Sequence, residues 1–186
     1  MKKTFCTLGP EGTCHDNALR NLIEHNGIKD FEIRYMDDFI DAANLLKDGH
    51  VDYIIQNCAH PTVYELNERY RHQIFIISTF VFPTKKMGIL KRLDAGEGRR
   101  LGLMPATKGY IDQGYWDELI FETANPVVGE KLAAGEYDYG VTFIEYADKY
   151  ADTLEVFEDF GGEVDTAWII YGRERAFEGK VIGGKL

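Results

Sequence analysis

The first 57 residues alternate between strand-like and helix-like hydrophobic patterns, and this alternation constrains the fold more than any other feature of the chain. FEIRYM at 31–36 alternates as a strand does, with apolar residues at helical spacing before it at 18–23 and after it at 39–46. VDYIIQ at 51–56 then reads as a short buried strand. Together with a first strand that ends at Gly9, the order is strand, helix, strand, helix, strand. This order is typical of a parallel sheet, and we predict an α/β fold.

The second half of the chain repeats the same alternation of predicted strands and helices. Two β-rich runs lead into it, IFIISTFVF at 74–82 and MGILKR at 87–92. The elements that we predict after them are a strand LGLMP, a helix over 110–119, a strand near Phe121, a helix over 127–134, a strand DYGVT, and a final strand TAWIIYG that returns to the first half.

One pattern, L-x-x-G-x-x-D-Y, occurs at both 46–53 and 132–139. Either helix-Gly-strand junctions simply look alike, or the chain contains two similarly built lobes. On the second interpretation, lobe 1 covers about 1–77 plus 164–186 and lobe 2 about 83–160. A two-lobed protein of this kind normally binds its ligand in a cleft between the lobes.

Composition excludes several classes of protein. The formal net charge is −10, and the basic residues occur in short pairs rather than stripes, so we expect no nucleic-acid partner. No apolar run approaches the roughly 20 residues of a membrane span, and the N-terminus reaches a turn too soon for a signal peptide. We therefore expect a cytoplasmic protein with no membrane partner. Three cysteines without a CxxC motif, and five histidines without metal-ligand spacing, predict neither a disulfide framework nor a metal site.

Polar residues stand where two of the predicted strands end. The third strand ends in QNCAHPT at 56–62, and the first ends in GPEGT at 9–13, directly before a helix. The glycine-rich turn has two interpretations. It can be a tight strand-to-helix connection capped by Thr13 or Asp16. It can also present the backbone N–H groups of Gly12 and Thr13 as an anion site at the start of the helix.

These segments resemble a known family. LGPEGTCHDNA at 8–18 resembles the LGPEGTFSHxAA opening of prephenate dehydratase catalytic domains, and DYIIQNCAHPTV at 52–63 resembles their DYGVVPIENSTEGSV segment. The resemblance covers essentially the whole chain and implies two lobes of the type-2 periplasmic-binding-protein-like fold, with the ligand cleft between them. It also leads us to expect no regulatory ACT domain after residue 186.

The departures from that family bear on the reaction. Gln56, Asn57 and Cys58 stand where the family has Glu-Asn-Ser, so only the Asn is kept. The family's Thr-Arg-Phe signature falls on Thr166-Ala167-Trp168, which lacks the Arg that pairs with the substrate carboxylate. The family's Ser-Thr-Ala helix start appears as TANP at 123–126. The positive charge that the missing Arg would supply has three candidate replacements, namely Lys85, Lys86 and Lys108.

A second branch of the same superfamily, the prephenate decarboxylases of the bacilysin type, has also lost Thr-Arg-Phe. TAWIIYGRER at 166–175 resembles the corresponding segment of that branch. Dehydration needs a donor at the departing ring hydroxyl, whereas non-aromatising decarboxylation keeps that hydroxyl and needs a proton at a ring carbon. We therefore predict a cofactor-independent lyase that acts on prephenate or a similar cyclic dicarboxylate, with decarboxylation slightly preferred over dehydration.

The resemblance assigns expected roles within this site. The N–H groups of Gly12 and Thr13 would bind a carboxylate, Asn57 would orient the substrate, and Thr166 would lie near the reacting ring. The other expected substrate-binding residues are Cys14, Cys58, His60 and Trp168.

Several alternatives stay open. Cys14 and Cys58 can instead be small buried apolar residues, or Cys58 can pair with His15 or His60 as a thiol acid or nucleophile. Trp168 can belong to the core. The whole chain can be a non-catalytic protein that binds a small anion or an amino-acid-like ligand. Because two long β segments leave much surface to cover, and because relatives associate through this domain, we expect a homodimer.

Overall fold

The computed structural model describes residues 2–181, whose strands form two separate five-stranded sheets. The elements in chain order are β1 (Lys3–Leu8), α1 (Cys14–His25), β2 (Phe31–Met36), α2 (Phe39–Lys47), β3 (Tyr53–Asn57), α3 (Val63–Arg69), β4 (Phe75–Pro83), β5 (Met87–Arg92), β6 (Arg100–Leu103), β7 (Glu118–Phe121), α4 (Asn125–Ala134), β8 (Tyr139–Phe143), α5 (Glu145–Lys149), β9 (Leu154–Asp159) and β10 (Asp165–Gly172).

The chain divides into two compact units. Unit 1 contains the described residues of Met1–Thr84 and Asp165–Leu186, and unit 2 is Lys85–Val164. The sheet of unit 1 has the order β2-β1-β3-β10-β4, in which β1 is parallel to β2 and β3, and β10 is antiparallel to β3 and β4. The predicted α/β class, the parallel start and the returning last strand are therefore confirmed.

Helix α1 is positioned by its cap and its apolar face. The Thr13 hydroxyl accepts a hydrogen bond from the Asp16 N–H at 3.2 Å, so the capping reading of the turn is correct and Thr13 is the capping residue. Ala18, Leu19 and Ile23 lie on the buried face, as their spacing predicts. The helix ends before Gly27, which has a φ of +61° that a residue with a side chain rarely adopts.

Alternate residues of the unit 1 strands enter two different apolar clusters. One cluster contains Ile54, Ile169 and Tyr171 together with residues of α2 and α3. The other contains Ile55 and Trp168 together with residues of α1. This alternation is the two-residue period of a strand that is covered on both faces.

The sheet of unit 2 has the order β7-β6-β8-β5-β9, and its two faces are covered differently. A side chain added at Gly140 would touch Val128 and Leu132 of α4, so α4 packs on that face. On the opposite face, Leu101, Leu103, Tyr139 and Val141 cluster with Trp116 and Ile111, which lie in the segment 105–117.

The prediction of a helix over 110–119 is wrong. Short 3₁₀ turns occupy Pro105–Tyr110 and Gln113–Tyr115, and β7 begins at Glu118. The Asp112 side chain accepts the N–H of Gly114 at 3.0 Å, which is a local turn that competes with a helix. The apolar residues that suggest a helix instead cover the sheet, as Trp116 does.

The repeated L-x-x-G-x-x-D-Y pattern marks the same structural junction in both units. Leu46 and Leu132 are fully buried near the ends of α2 and α4, and the following Gly49 and Gly135 have φ values of +80° and +85°. The Tyr of each copy begins a central strand, β3 in one unit and β8 in the other.

Within residues 2–181, no helix has both the length and the apolar composition needed to cross a bilayer.

We expect Gly102→Ala to destabilise unit 2. A methyl group at Gly102 would clash with the ring of Tyr137, which is buried and donates its hydroxyl to the Val128 carbonyl. The expected loss is about 1–3 kcal/mol in the free energy of unfolding, measured by urea denaturation. Gly96→Ala is the matched control, because a methyl group there would meet nothing within 4 Å. Equal stability of the two variants would contradict the close packing described here.

Candidate functional site

Asn57 and Thr166, which are 109 residues apart in the chain, meet where β3 ends. The Asn57 Nδ2 donates to Thr166 Oγ1 at 3.2 Å, and the Asn57 Oδ1 accepts the N–H of Ala59 at 2.8 Å. The second bond fixes which end of the amide is the oxygen. The Thr166 hydroxyl therefore accepts from Asn57. Among residues 2–181, the acceptors for its own proton are long, Asn57 Oδ1 at 3.4 Å and Cys58 Sγ at 3.8 Å. This hydroxyl can donate to a bound ligand.

Cys58 is the exposed member of this group. Its N–H donates to the Ala167 carbonyl at 2.9 Å, which holds the residue beside β10, and its thiol lies against Thr166. Within residues 2–181, the thiol is hydrogen-bonded to Thr166 and to neither His15 nor His60. The expected alternative of a Cys-His pair is therefore not what the structure shows.

His15 joins the start of α1 to the end of β3. Its Nε2 accepts the N–H of Asn57 at 3.4 Å. Its ring is edge-on to Trp168 at a centroid distance of 5.2 Å and tilted against Phe39 at 5.6 Å. Burial, with a smaller contribution from the neighbouring His60, lowers the pKa of His15 to about 3. The imidazole is therefore neutral near pH 7, and its acceptor nitrogen supports the backbone of the site.

His60 is the last residue in a short chain of side-chain hydrogen bonds that begins at Gln56. The Gln56 Nε2 donates to Thr62 Oγ1 at 2.8 Å, and Thr62 Oγ1 lies 2.8 Å from His60 Nδ1. The N–H of Thr62 also donates to His60 Nδ1, at 3.3 Å, so Nδ1 is an acceptor and the ring proton is on Nε2. Burial lowers the pKa of His60 and favours this neutral form. Gln56 and Thr62 were not predicted as partners of His60; a Thr two residues after a His in a turn is the signal that could have suggested them.

The expected anion site at Gly12 needs correction. The Gly12 N–H donates to Asp16 Oδ2 at 2.9 Å, so a carboxylate of the protein itself occupies the position expected for a ligand. Asp16 is buried and also accepts from Arg20 Nε at 2.8 Å and from the Tyr35 hydroxyl at 2.6 Å. Burial, followed by the hydrogen bond to Asp16, raises the pKa of Tyr35 to about 12. The positive start of α1 is thus used to stabilise an internal ion pair.

The expectation that Trp168 lines the ligand site is also corrected. Trp168 has no exposed surface, its Nε1 donates to the Phe82 carbonyl at 2.8 Å, and its ring lies against Phe80 and His15. The core reading of this residue is the correct one, because a buried indole N–H needs an internal acceptor and β4 supplies it. Cys14 is partly buried and packs against the same apolar cluster.

The candidate replacements for the missing Arg belong to unit 2. Lys85 is paired with Glu145 and lies 4.9 Å from the Phe143 ring, and Lys108 lies 5.7 Å from the Phe121 ring. In the described part of the chain, the side-chain hydrogen bonds of Asn57, Cys58 and Thr166 involve only neutral groups. A search of the same residues finds no group of three or more His, Cys, Asp or Glu side chains that could hold a metal ion.

Comparison with known proteins finds a likeness of fold. No protein-family model and no curated protein matches the sequence. Among solved structures, the prephenate dehydratase from Arthrobacter aurescens in complex with L-Phe is 17% identical, with a TM-score of 0.66 over 96% of this chain and 63% of that chain. The prephenate dehydratase from Staphylococcus aureus is 10% identical, with a TM-score of 0.64 over 92% of this chain and 66% of that one.

A binding-protein structure is similar as well. The periplasmic VFT2 domain of BvgS from Bordetella pertussis is 14% identical, with a TM-score of 0.53 over 92% of this chain and 80% of that chain. At these identities the likeness establishes the fold alone. The chain has the periplasmic-binding-protein-like α/β fold that prephenate dehydratases also have, and it spans slightly less than two thirds of the length of the dehydratases it matches.

We expect Asp16→Asn to destabilise unit 1 by about 2–4 kcal/mol, because it removes the buried charged partner of Arg20 Nε and puts an amide N–H among three donors. The measurement is the free energy of unfolding in urea. Glu11→Gln is the control, since Glu11 also contacts Arg20 but its side chain is 71% exposed. If both variants are as stable as the parent, the buried carboxylate does not hold the turn.

We expect His15 to make the protein less stable in acid. The folded state lowers the pKa of His15 to about 3, from an ordinary value of 6.5, so the unfolded chain binds one more proton between these pH values. The stability that His15 contributes is complete above pH 6.5 and falls by up to about 1.4 kcal/mol per pH unit as the pH drops toward 3.

The test compares urea unfolding of the parent and of His15→Gln between pH 7 and pH 4.5. The difference in stability between the two proteins should shrink as the pH falls, because Gln cannot take up the proton. A difference that does not vary with pH would show that His15 titrates normally.

Proposed function

We propose that the chain is a cofactor-independent lyase that acts on prephenate or a similar cyclic dicarboxylate, with non-aromatising decarboxylation preferred over dehydration. One observation carries the proposal. The two residues that the dehydratase resemblance assigns to catalysis, Asn57 and Thr166, are hydrogen-bonded to each other although they are 109 residues apart in the chain.

The geometry supports a role for Thr166 as a donor. Asn57 occupies a lone pair of the Thr166 hydroxyl, and the acceptors of the hydroxyl proton in the part of the chain that the structure describes lie 3.4 and 3.8 Å away. In decarboxylation the bond between the ring and the carboxylate breaks, CO2 leaves, and its electron pair shifts the adjacent double bond so that a ring carbon takes a proton. Thr166 would bind the ring hydroxyl, which stays on the product. The exposed Cys58 thiol beside it would be the proton donor.

The neutral character of the cluster supports the preference between the two reactions. His15 and His60 both have lowered pKa values, and the family's Arg is replaced by Ala167. Dehydration expels hydroxide while CO2 departs, and so places more demand on charged donors than decarboxylation does. A site of neutral hydrogen-bond donors suits the reaction that keeps the hydroxyl in place.

A second candidate function is the binding of a small anion or an amino-acid-like ligand without reaction. The observation that favours it is the similarity to the BvgS VFT2 domain, of which this chain covers 80%, against 63% of the Arthrobacter dehydratase. Neutral hydrogen-bond donors such as the Thr166 hydroxyl and the Asn57 amide can hold a ligand without any chemistry.

We expect incubation with prephenate to consume it and release CO2 without forming phenylpyruvate, which is read by its absorbance in alkali. Thr166→Val removes the hydroxyl at nearly constant shape and should lower the rate by about 10- to 100-fold. Thr166→Ser should retain most of it. Thr79→Val on the exposed part of β4 is the control for a lost threonine hydroxyl.

The products separate the alternatives. Phenylpyruvate formed at a rate that depends on Thr166 would mean dehydration and would overturn the preference for decarboxylation. Saturable binding of prephenate without turnover, weakened in Thr166→Val, would establish the binding function instead. If the protein neither converts nor binds prephenate, then prephenate is not its ligand.

A further inference from the structure

The sheet of unit 2 has a pocket on the face that α4 does not cover. Its volume is about 270 Å³, and it lies between the sheet and the segment 105–117. All its lining residues belong to unit 2, and none of them belongs to the Asn57–Thr166 cluster. The pocket is smaller than the roughly 300–1,000 Å³ of sites for drug-sized ligands, so it would fit a molecule with a single ring.

Four of the eight lining residues are aromatic, and their rings pack against one another or against Phe160. Trp116 meets the edges of Tyr115 and Phe157 at centroid distances of 5.0 and 6.5 Å, and Tyr110 is stacked on Phe160 at 5.3 Å. Trp116 is buried, but Tyr110, Tyr115 and Phe157 keep 50%, 46% and 44% of their surfaces exposed. Rings that are fixed in place and still exposed are typical of a ligand site rather than of a core.

The charges at this pocket are negative. Asp112 and Glu158 line it together with the rings, and Asp112 is held in place by the N–H of Gly114. Cations of the protein already lie near two rings of the same cluster. The Arg99 guanidinium is 4.8 Å from the ring centroid of Tyr115, which lines the pocket, and the Lys91 ammonium is 5.9 Å from that of Tyr139, which does not. Both of these cations are paired with carboxylates, Asp117 and Glu155, outside the pocket lining.

We propose that this pocket binds a small organic ammonium ion that carries an aromatic or alkyl body. The rings take the apolar body and attract the cation through their π faces, and the two carboxylates neutralise its charge. An anion would be repelled by Asp112 and Glu158. A neutral apolar molecule would gain no electrostatic attraction from the two carboxylates.

The test uses phenethylammonium chloride as the probe, with titration followed by calorimetry and by tryptophan fluorescence. 2-Phenylethanol and phenylacetate are the matched neutral and anionic probes of similar size. We expect saturable binding of the ammonium ion, and at least about fivefold weaker binding of each of the other two.

Variants assign the binding to this pocket. Glu158→Gln and Asp112→Asn keep the side-chain shape, and we expect each to weaken binding about fivefold, with Phe157→Ala about tenfold. Glu155→Gln removes a carboxylate of the same strand that does not line the pocket and should leave binding unchanged. Equal affinity for the alcohol and the ammonium ion, unchanged affinity in the Asp112→Asn and Glu158→Gln double variant, or no saturable binding would each overturn the proposal.

Discussion

The arrangement of unit 1 depends on the position of β10 between β3 and β4. The buried indole of Trp168 fixes this position. Its Nε1 donates to the Phe82 carbonyl of β4, and the other side of the ring meets His15 at the start of α1. Because successive strand residues face opposite sides of a sheet, a register slip of one residue would exchange Trp168 with Ile169 between the two cores. The same register is what brings Thr166 to Asn57. One core contact thereby sets the geometry of the candidate site.

The glycine-rich turn after β1 shows how a feature that suits ligand binding can have a structural use. The start of α1 favours a negative charge, and Asp16 supplies it from within the helix, with Arg20 and Tyr35 as further partners. The turn is thereby held in one conformation, which places His15 where it can accept the N–H of Asn57. The turn therefore contributes to the site by positioning His15.

The site that results is polar but neutral. Burial keeps His15 and His60 unprotonated, while Thr166 and Asn57 offer hydrogen-bond donors. In a partly desolvated site such donors orient a ligand well but stabilise full negative charge less than an Arg would. Such a site suits a reaction, or a ligand, that makes a small demand for positive charge.

The sequence by itself determined the elements whose period is strong and local. The strand FEIRYM, the helix that begins after Thr13, and the Leu-Gly-Asp-Tyr junctions in both units agree with the structure, since side-chain spacing, capping and glycine backbone freedom act within a few residues. The resemblance of two short segments also led to Asn57 and Thr166, which do meet.

Only the tertiary structure decided what each polar or aromatic residue contacts. The apolar residues whose spacing suggested a helix over 110–119 instead cover a sheet, because Trp116 packs on strands that are distant in sequence. The Gly12 N–H is taken by Asp16, and Trp168 lies in the core. Whether an N–H is available, or a ring is exposed, depends on neighbours brought together by long-range packing, and a single sequence carries no record of those distances.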